Sequence, residues 1–276
     1  MLTMMILSLP LLGSCAAGYA VFIEPRWIAV VEYEIAAENL PEAFDGKRIA
    51  FIADTHHQTR SSYNLLEKVV KMTHDQSPDL ILLGGDYSRE QPVALAKCFE
   101  ELAKLEAPMG VYAVLGNHDY WNSPLMRKSI ADAEIELLQN DAVWLEDGES
   151  KILLAGVTDL WCDTPSLDDM RPELQESDFT VLLSHNPDYF DELSREERDQ
   201  IDLMLSGHTH GGQVTLFGFY APLRTAQAKY TSGLVKPDEN GRASIIISNG
   251  IGTTSLPIRF FARPQIVLVT LNKAKP

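Results

Sequence analysis

The stretch Ile49-Ala50-Phe51-Ile52-Ala53-Asp54-Thr55-His56 sets a short apolar run directly against an acid and an imidazole. Five apolar residues in succession suit a strand buried on both faces, as in a sheet covered by helices. The pattern recurs along the chain. Residues 80–83 run into Gly84-Gly85-Asp86, and 111–115 into Gly116-Asn117-His118-Asp119. Residues 181–183 run into Ser184-His185-Asn186, and 201–205 into Ser206-Gly207-His208-Thr209-His210. Further strand-length apolar runs occupy 152–157, 245–247 and 266–271.

Helical patterns sit between several of these runs. Leu65, Leu66, Val69, Val70 and Met72 form one apolar face, and Leu95, Phe99, Leu102 and Leu105 another. Ser123-Pro124 predicts an N-cap and first helical position for a helix running towards Asn140. Strands alternating with helices predict an α/β domain with substantial sheet. Eight strand candidates fit one sheet or two packed sheets, and the pattern alone does not choose.

In an open α/β sheet the carboxyl ends of the strands meet a common crevice. Five strands here each deliver Asp, Asn or His to that end, and five of the seven histidines (His56, His118, His185, His208, His210) lie there. Carboxylate, amide oxygen and imidazole without thiolate suit divalent manganese, zinc or iron. Two ions close together need a bridging carboxylate, for which Asp86 is placed. Taken singly, Asp-x-His is a common cap and Gly-Asp a common turn; the ordered series carries the signal. His57 reads as an exposed loop histidine.

Bulk properties narrow the function classes. A net charge of −16 over 276 residues repels nucleic-acid backbones, so no nucleic-acid partner is expected. Three cysteines without CxxC spacing make neither a disulfide scaffold nor a zinc ribbon; Cys98, in a helical pattern, reads as packing. No charged side chain precedes Glu24, so residues 1–23 read as a hydrophobic membrane anchor or signal segment. Leu12-Gly13-Ser14-Cys15 resembles a bacterial lipobox, which would lipidate Cys15. Either device implies association with the inner membrane or cell envelope. Residues 24–44 form an extended lead-in with a strand pattern at 30–35, and 45–276 the catalytic domain.

The order of motifs from about residue 47 to 272 resembles the calcineurin-like metallophosphoesterase superfamily. Gly207-His208-Thr209-His210-Gly211-Gly212-Gln213, His185-Asn186-Pro187-Asp188, Tyr230-Thr231-Ser232-Gly233 and Pro257-Ile258-Arg259-Phe260 resemble its bacterial membrane-associated branch, as does Glu24-Pro25-Arg26-Trp27 behind an apolar leader. The resemblance implies a four-layer sandwich of two mixed β-sheets flanked by helices, with the metal site at the strand C-terminal ends. It implies two divalent metal ions, one held by Asp54, His56, Asp86 and His210 and the other by Asp86, Asn117, His185 and His208. His118 would protonate the leaving oxygen or stabilise the transition state, oriented by Asp119. The Gly-Asp motif continues as Tyr87-Ser88-Arg89 without the second Asp of many relatives, which bears on the substrate rather than on the metals.

The expected activity is hydrolysis of a phosphodiester, or of the pyrophosphate in a lipid-linked nucleotide such as UDP-2,3-diacylglucosamine, a known activity of the resembling branch and a step of lipid A assembly. A phosphomonoesterase or phosphoprotein phosphatase is the alternative, and a non-catalytic metal-containing binding module a third class. Phe217, Phe219 and Tyr220 offer an apolar surface for an amphiphilic substrate.

Overall fold

Ile49, Phe51 and Ala53 face one buried cluster while Ala50 and Ile52 face another, so the first strand of the 49–56 stretch is covered on both sides. The computed structural model describes residues 13–58, 60–88, 91–216, 219–220, 229–238 and 241–275. Its strands are β1 (Ala29–Ala37), β2 (Arg48–Ile52), β3 (Leu80–Leu83), β4 (Val111–Ala113), β5 (Glu136–Leu137), β6 (Asp141–Asp147), β7 (Ser150–Gly156), β8 (Thr180–Leu183), β9 (Leu203–Ser206), β10 (Thr215–Leu216), β11 (Phe219–Tyr220), β12 (Gly233–Val235), β13 (Ser244–Ile247) and β14 (Gln265–Lys273). The principal helices are α1 (Arg60–His74), α2 (Pro92–Leu102), α3 (Ser123–Asp132) and α4 (Arg171–Glu176).

Two six-stranded mixed sheets pack face to face. The first has the order β1-β14-β2-β3-β4-β5 and the second β12-β13-β9-β8-β7-β6. Within the first, β2, β3, β4 and β5 are parallel, and β14 runs against β2. Within the second, β13, β9, β8 and β7 are parallel. The two-residue alternation of each strand then sorts its side chains. Phe51, Leu82, Val114, Val181, Leu205 and Val267 meet between the sheets. Ile52, Ile81 and Leu83 turn outward onto α1 and α2, through Leu66, Val69, Leu95 and Phe99. Leu182 and Met204 turn outward on the other side, onto Met170, Leu174 and Phe190. This is the expected four-layer sandwich, divided into two sheets.

Several local expectations are corrected. The helix from Ser123 does not reach Asn140; it ends at Asp132, because Glu134 enters the left-handed region (φ 57°) and Ile135 turns into β5. Its N-cap is Asn122, whose side chain accepts from the Leu125 amide at 3.3 Å. The strand pattern at 30–35 is β1, a full parallel partner of β14. The leader's residues 1–12 and Phe217, with the side chains of Phe219 and Tyr220, lie outside the described residues, as does Arg89. Residues 13–18 are helical and lead through turns at Tyr19–Ile23 and Glu24–Arg26 into β1. Among the described residues, no helix is long and apolar enough to cross a membrane.

Candidate metal centre

The loops after β2 and β3 lie side by side and are laced by their backbones. The amides of Asp54, His56 and His57 donate to the carbonyls of Gly85, Asp86 and Tyr87 at 2.9, 3.0 and 2.9 Å. Thr55 Oγ1 donates to the Tyr87 carbonyl at 2.6 Å. This lacing buries His57 instead of exposing it, correcting the loop reading; burial pushes its imidazole down to about 4. Asp54, His56 and Asp86 all hold positive φ (52°, 38° and 56°), as do His208 and His210 (70° and 52°). Non-glycine residues avoid that region, and where they occupy it together at one site the surrounding structure is enforcing a particular aim of the side chains.

Side chains from both sheets converge at this rim. Asp54, His56, Asp86 and Asn117 follow strands of the first sheet; His185, His208 and His210 follow β8 and β9 of the second. Asp86 Oδ2 lies 3.4 Å from His56 Nε2 and 3.4 Å from His185 Nε2. On one side of Asp86, His56 Nε2 and His210 Nε2 are 3.0 Å apart, and His210 Nε2 is 3.5 Å from Asp54 Oδ1. On the other, His208 Nδ1 is 3.0 Å from Asn117 Oδ1 and 3.2 Å from His185 Nε2. The ligand atoms of Asp54, His56 and His210 lie within 4.8 Å of one another, and so do those of Asp54, Asp86 and His185. All seven side chains expected from the sequence to hold metal are thus brought together.

Their electrostatics suit cations. Burial pushes Asp86 up, but the imidazoles of His185 and His56 outweigh it and hold the carboxyl well below its ordinary range. Burial, aided by the Asp86 charge, pushes Asp54 up to about 7. Burial and the neighbouring His185 push His208 down to about 3, and burial with His56 and Arg259 pushes His210 well down. Neutral imidazoles present lone pairs. His185 Nδ1 is 2.7 Å from the Gly84 carbonyl, which requires it to carry a proton and fixes the ring with Nε2 toward Asp86. Burial opposes its charge, but the Asp86 carboxylate outweighs burial and raises this imidazole well above its ordinary value, so Nε2 becomes a ligand only by giving up a proton to an incoming cation.

Space is reserved as well. A Cβ at Gly116 would run into Asp86 Oδ1 and His185 Cε1, and one at Gly207 into Asp54 Oδ2. Nitrogen and oxygen donors without thiolate, neutral rings at His208 and His210, a His185 ring oriented by the Gly84 carbonyl and glycines that let two loops close on the carboxylates all fit a pair of divalent ions.

His118 sits beside this cluster, partly exposed. Its amide donates to Asp86 Oδ1 at 2.8 Å, and its ring meets that of His56 edge-on at 5.2 Å. Asp119 has partners the motif did not suggest. Its carboxylate accepts from the backbone amides of Asp86 (2.7 Å), Tyr87 (3.0 Å) and Gly116 (2.8 Å), joining the two loops. Its described hydrogen bonds are to these amides rather than to the His118 ring. Burial and the Asp86 charge push it up to about 8.

Sequence reasoning assigned no role to three other groups. Arg259 is fully buried and donates to the carbonyls of Gly252 (2.5 Å), Ala262 (2.7 Å) and Asn249 (2.8 Å), with its Nη2 at 3.4 Å from His210 Nδ1. Asp159 is buried near His185 and accepts from the Trp161 and Cys162 amides at 2.9 and 3.0 Å. Trp161 is half exposed and meets the His208 ring edge-on at 4.3 Å. Asp159 was findable: the run 152–157 also ends in an acid, by the rule that located the other five.

The family model for calcineurin-like phosphoesterase matches residues 47–212. The chain is 32% identical to the metallophosphoesterase YkuE of Bacillus subtilis, the alignment covering 92% of this chain and 89% of that one. It is 30% identical to the phosphodiesterase YaeI of Escherichia coli over 94% of this chain and 93% of that one. Among solved structures, the sulfate thiohydrolase SoxB of Thermus thermophilus superposes with a TM-score of 0.52 at 12% identity, over 85% of this chain and 58% of that one, a likeness of fold.

Proposed function

Because the chain belongs to the calcineurin-like phosphoesterase family, and is thus a metal-dependent phosphoester hydrolase, we propose that it cleaves phosphodiesters of membrane-derived or lipid-linked substrates at the membrane surface. The observation that carries the reading is Asp86, buried between His56 of one sheet and His185 of the other. In this reading Asp54, His56, Asp86 and His210 hold one divalent ion, and Asp86, Asn117, His185 and His208 the second. When bound, such a pair acidifies the attacking water and neutralises phosphate charge.

The chain's own residues do the rest. The positive-φ loops hold the phosphate-binding rim rigid, so phosphorus is presented in line with the water. The O–P bond to the leaving group breaks, and His118 gives that oxygen its proton. Asp119 acts as a positioning residue: by joining the 85–87 and 116–119 loops it keeps the His118 backbone against Asp86. The uncharged run 1–23 supports placement at a membrane, and the similarity to a phosphodiesterase supports diesters over monoesters. A lipid-linked nucleotide pyrophosphate such as UDP-2,3-diacylglucosamine is open to the same site, since its cleavage is also a phosphoryl O–P displacement.

Manganese-loaded protein is assayed on bis-p-nitrophenyl phosphate and p-nitrophenyl phosphate side by side. The expected result is turnover of the diester at least tenfold above the monoester; the reverse order ends the phosphodiesterase reading. Product analysis with UDP-2,3-diacylglucosamine decides the lipid nucleotide.

A further inference from the structure

The segment ahead of β1 is fixed to the catalytic domain. The Ala20 carbonyl accepts from the Arg259 amide at 3.0 Å, and Tyr19 meets Phe260 edge-on at 6.2 Å. The fully buried Glu24 carboxylate accepts from the amides of Phe261 and Ala262 at 2.9 and 2.6 Å. The Arg263 guanidinium lies over the Trp27 ring at 3.9 Å.

Between this segment and residues 251–257 runs a cleft of about 390 Å³. That is within the roughly 300–1,000 Å³ of small-molecule sites. Val21, Pro25, Leu65, Ile251, Leu256 and Pro257 give it apolar walls, while Thr55 and His56 line it too, so one end borders the metal cluster. Around it stand large apolar side chains in water: Phe22 (68% exposed), Phe261 (59%), Ile23, Trp27 and Leu256. Exposed apolar residues gathered at one place mark an interaction surface. Basic side chains accompany them, with Arg26 lining the cleft, Lys68 reaching the Arg26 carbonyl at 3.5 Å and Arg263 on Trp27. On a chain of net charge −16, a basic and apolar edge that continues the uncharged run 1–23 matches an anionic bilayer surface.

We propose that this cleft takes the hydrocarbon part of a membrane phosphoester, entering from the bilayer between the exposed apolar side chains and leaving its phosphate at the His56 end. This rests on the phosphodiesterase reading above and narrows the substrate to amphiphiles. Each buried methylene strengthens binding roughly three- to fourfold. Four or five of them give about 10²-fold.

The test uses the full chain loaded with manganese. Calorimetry compares decyl phosphate, below its micellar concentration, with ethyl phosphate. Decyl phosphate is expected to bind about 10²-fold more tightly. Leu256→Asp and Val21→Asp, which leave the metal ligands untouched, are expected to remove that advantage while ethyl phosphate binds as before. Equal affinities in the wild type, or a decyl advantage surviving both variants, overturns the proposal. Hydrolysis separates it from the reading beneath it. If methyl and decyl p-nitrophenyl phosphate are cleaved with equal KM, the cleft assignment falls and the diesterase stands. If neither is cleaved while the decyl binding advantage persists, the diesterase falls and the cleft stands. Decyl ester embedded in phosphatidylglycerol vesicles is expected to be hydrolysed; turnover of the monomeric ester alone overturns the bilayer as its source.

Discussion

Asp86 Oδ2, carried at the end of a strand in the first sheet, lies 3.4 Å from Nε2 of His185, carried by the second. An ion held by both would cross-link the two halves of the sandwich. Metal occupancy and folding stability would then be coupled.

Chelation is the direct check. At a metal concentration about 1,000 times the dissociation constant the bound state gains roughly 4 kcal/mol. For a domain of this size that corresponds to about 8–16 °C in the unfolding midpoint. Exhaustive treatment with a chelator should lower the midpoint by that order, and added manganese should restore it. A midpoint unchanged in metal-free protein, with removal verified by elemental analysis, would refute the cross-link. Acid should act in the same direction, since ligands that take up protons release metal.

Gly116→Ala should damage the site without deleting a ligand. Gly116 has ordinary φ (−96°), so the substitution carries no backbone strain of its own. The added methyl would meet Asp86 Oδ1, the Asp86 amide and the His185 ring, all buried. The expected outcome is at least a tenfold loss of metal affinity by titration in a folded protein with a native circular dichroism spectrum. Wild-type affinity would show that the two loops relax apart and that their closeness is not needed.

His118→Ala should keep both ions and lose rate. General acid help is worth about 10² to 10⁴. The loss should be large for alkyl leaving groups and small for p-nitrophenolate, which leaves without a proton. A slope of log kcat against leaving-group pKa equal to that of the wild type would remove His118 from proton donation. Asp86→Ala, by contrast, should lose the ions themselves; two ions per mutant chain would refute the bridging role.

Arg259→Met should destabilise the fold by about 3–5 kcal/mol, the usual cost of deleting one member of a buried charged network. It strands the Gly252, Ala262 and Asn249 carbonyls and leaves Glu24 buried without that cation nearby. Denaturant midpoints at constant slope measure it, and a loss under 1 kcal/mol would mean water replaces the guanidinium. Glu24→Gln, whose single carbonyl oxygen can keep one of the Phe261 and Ala262 amides while its NH2 faces the other, should cost less than Glu24→Ala, which loses both.

The strands and the side chains that gather at the rim were legible because each apolar run is local and each candidate ligand sits at its end. Residues 49–56 and 201–210 needed no tertiary information. The apolar pattern alone left one sheet or two open, and the family resemblance supplied the division into two: nothing within 80–83 or 181–183 says which run is its neighbour, and pairing is decided by contacts far along the chain. The end of α3 was misread because Glu134 adopts a left-handed conformation that its residue type does not advertise. The burial of His57 and the backbone partners of Asp119 were missed for one reason. Their surroundings are made by a different loop, about thirty residues away, whose backbone laces onto theirs.

The Glu24 carboxylate grips the two residues that follow Phe260, and Arg259, one position earlier, braces the histidine loop. Leader and reaction centre are therefore mounted on one short piece of backbone with no slack between them. Were the first residues held at a surface, as proposed above, the stretch from Ala20 to Glu24 would add no free stalk between that surface and the rim. Cutting the Glu24 grip would then let the rim swing on its leader.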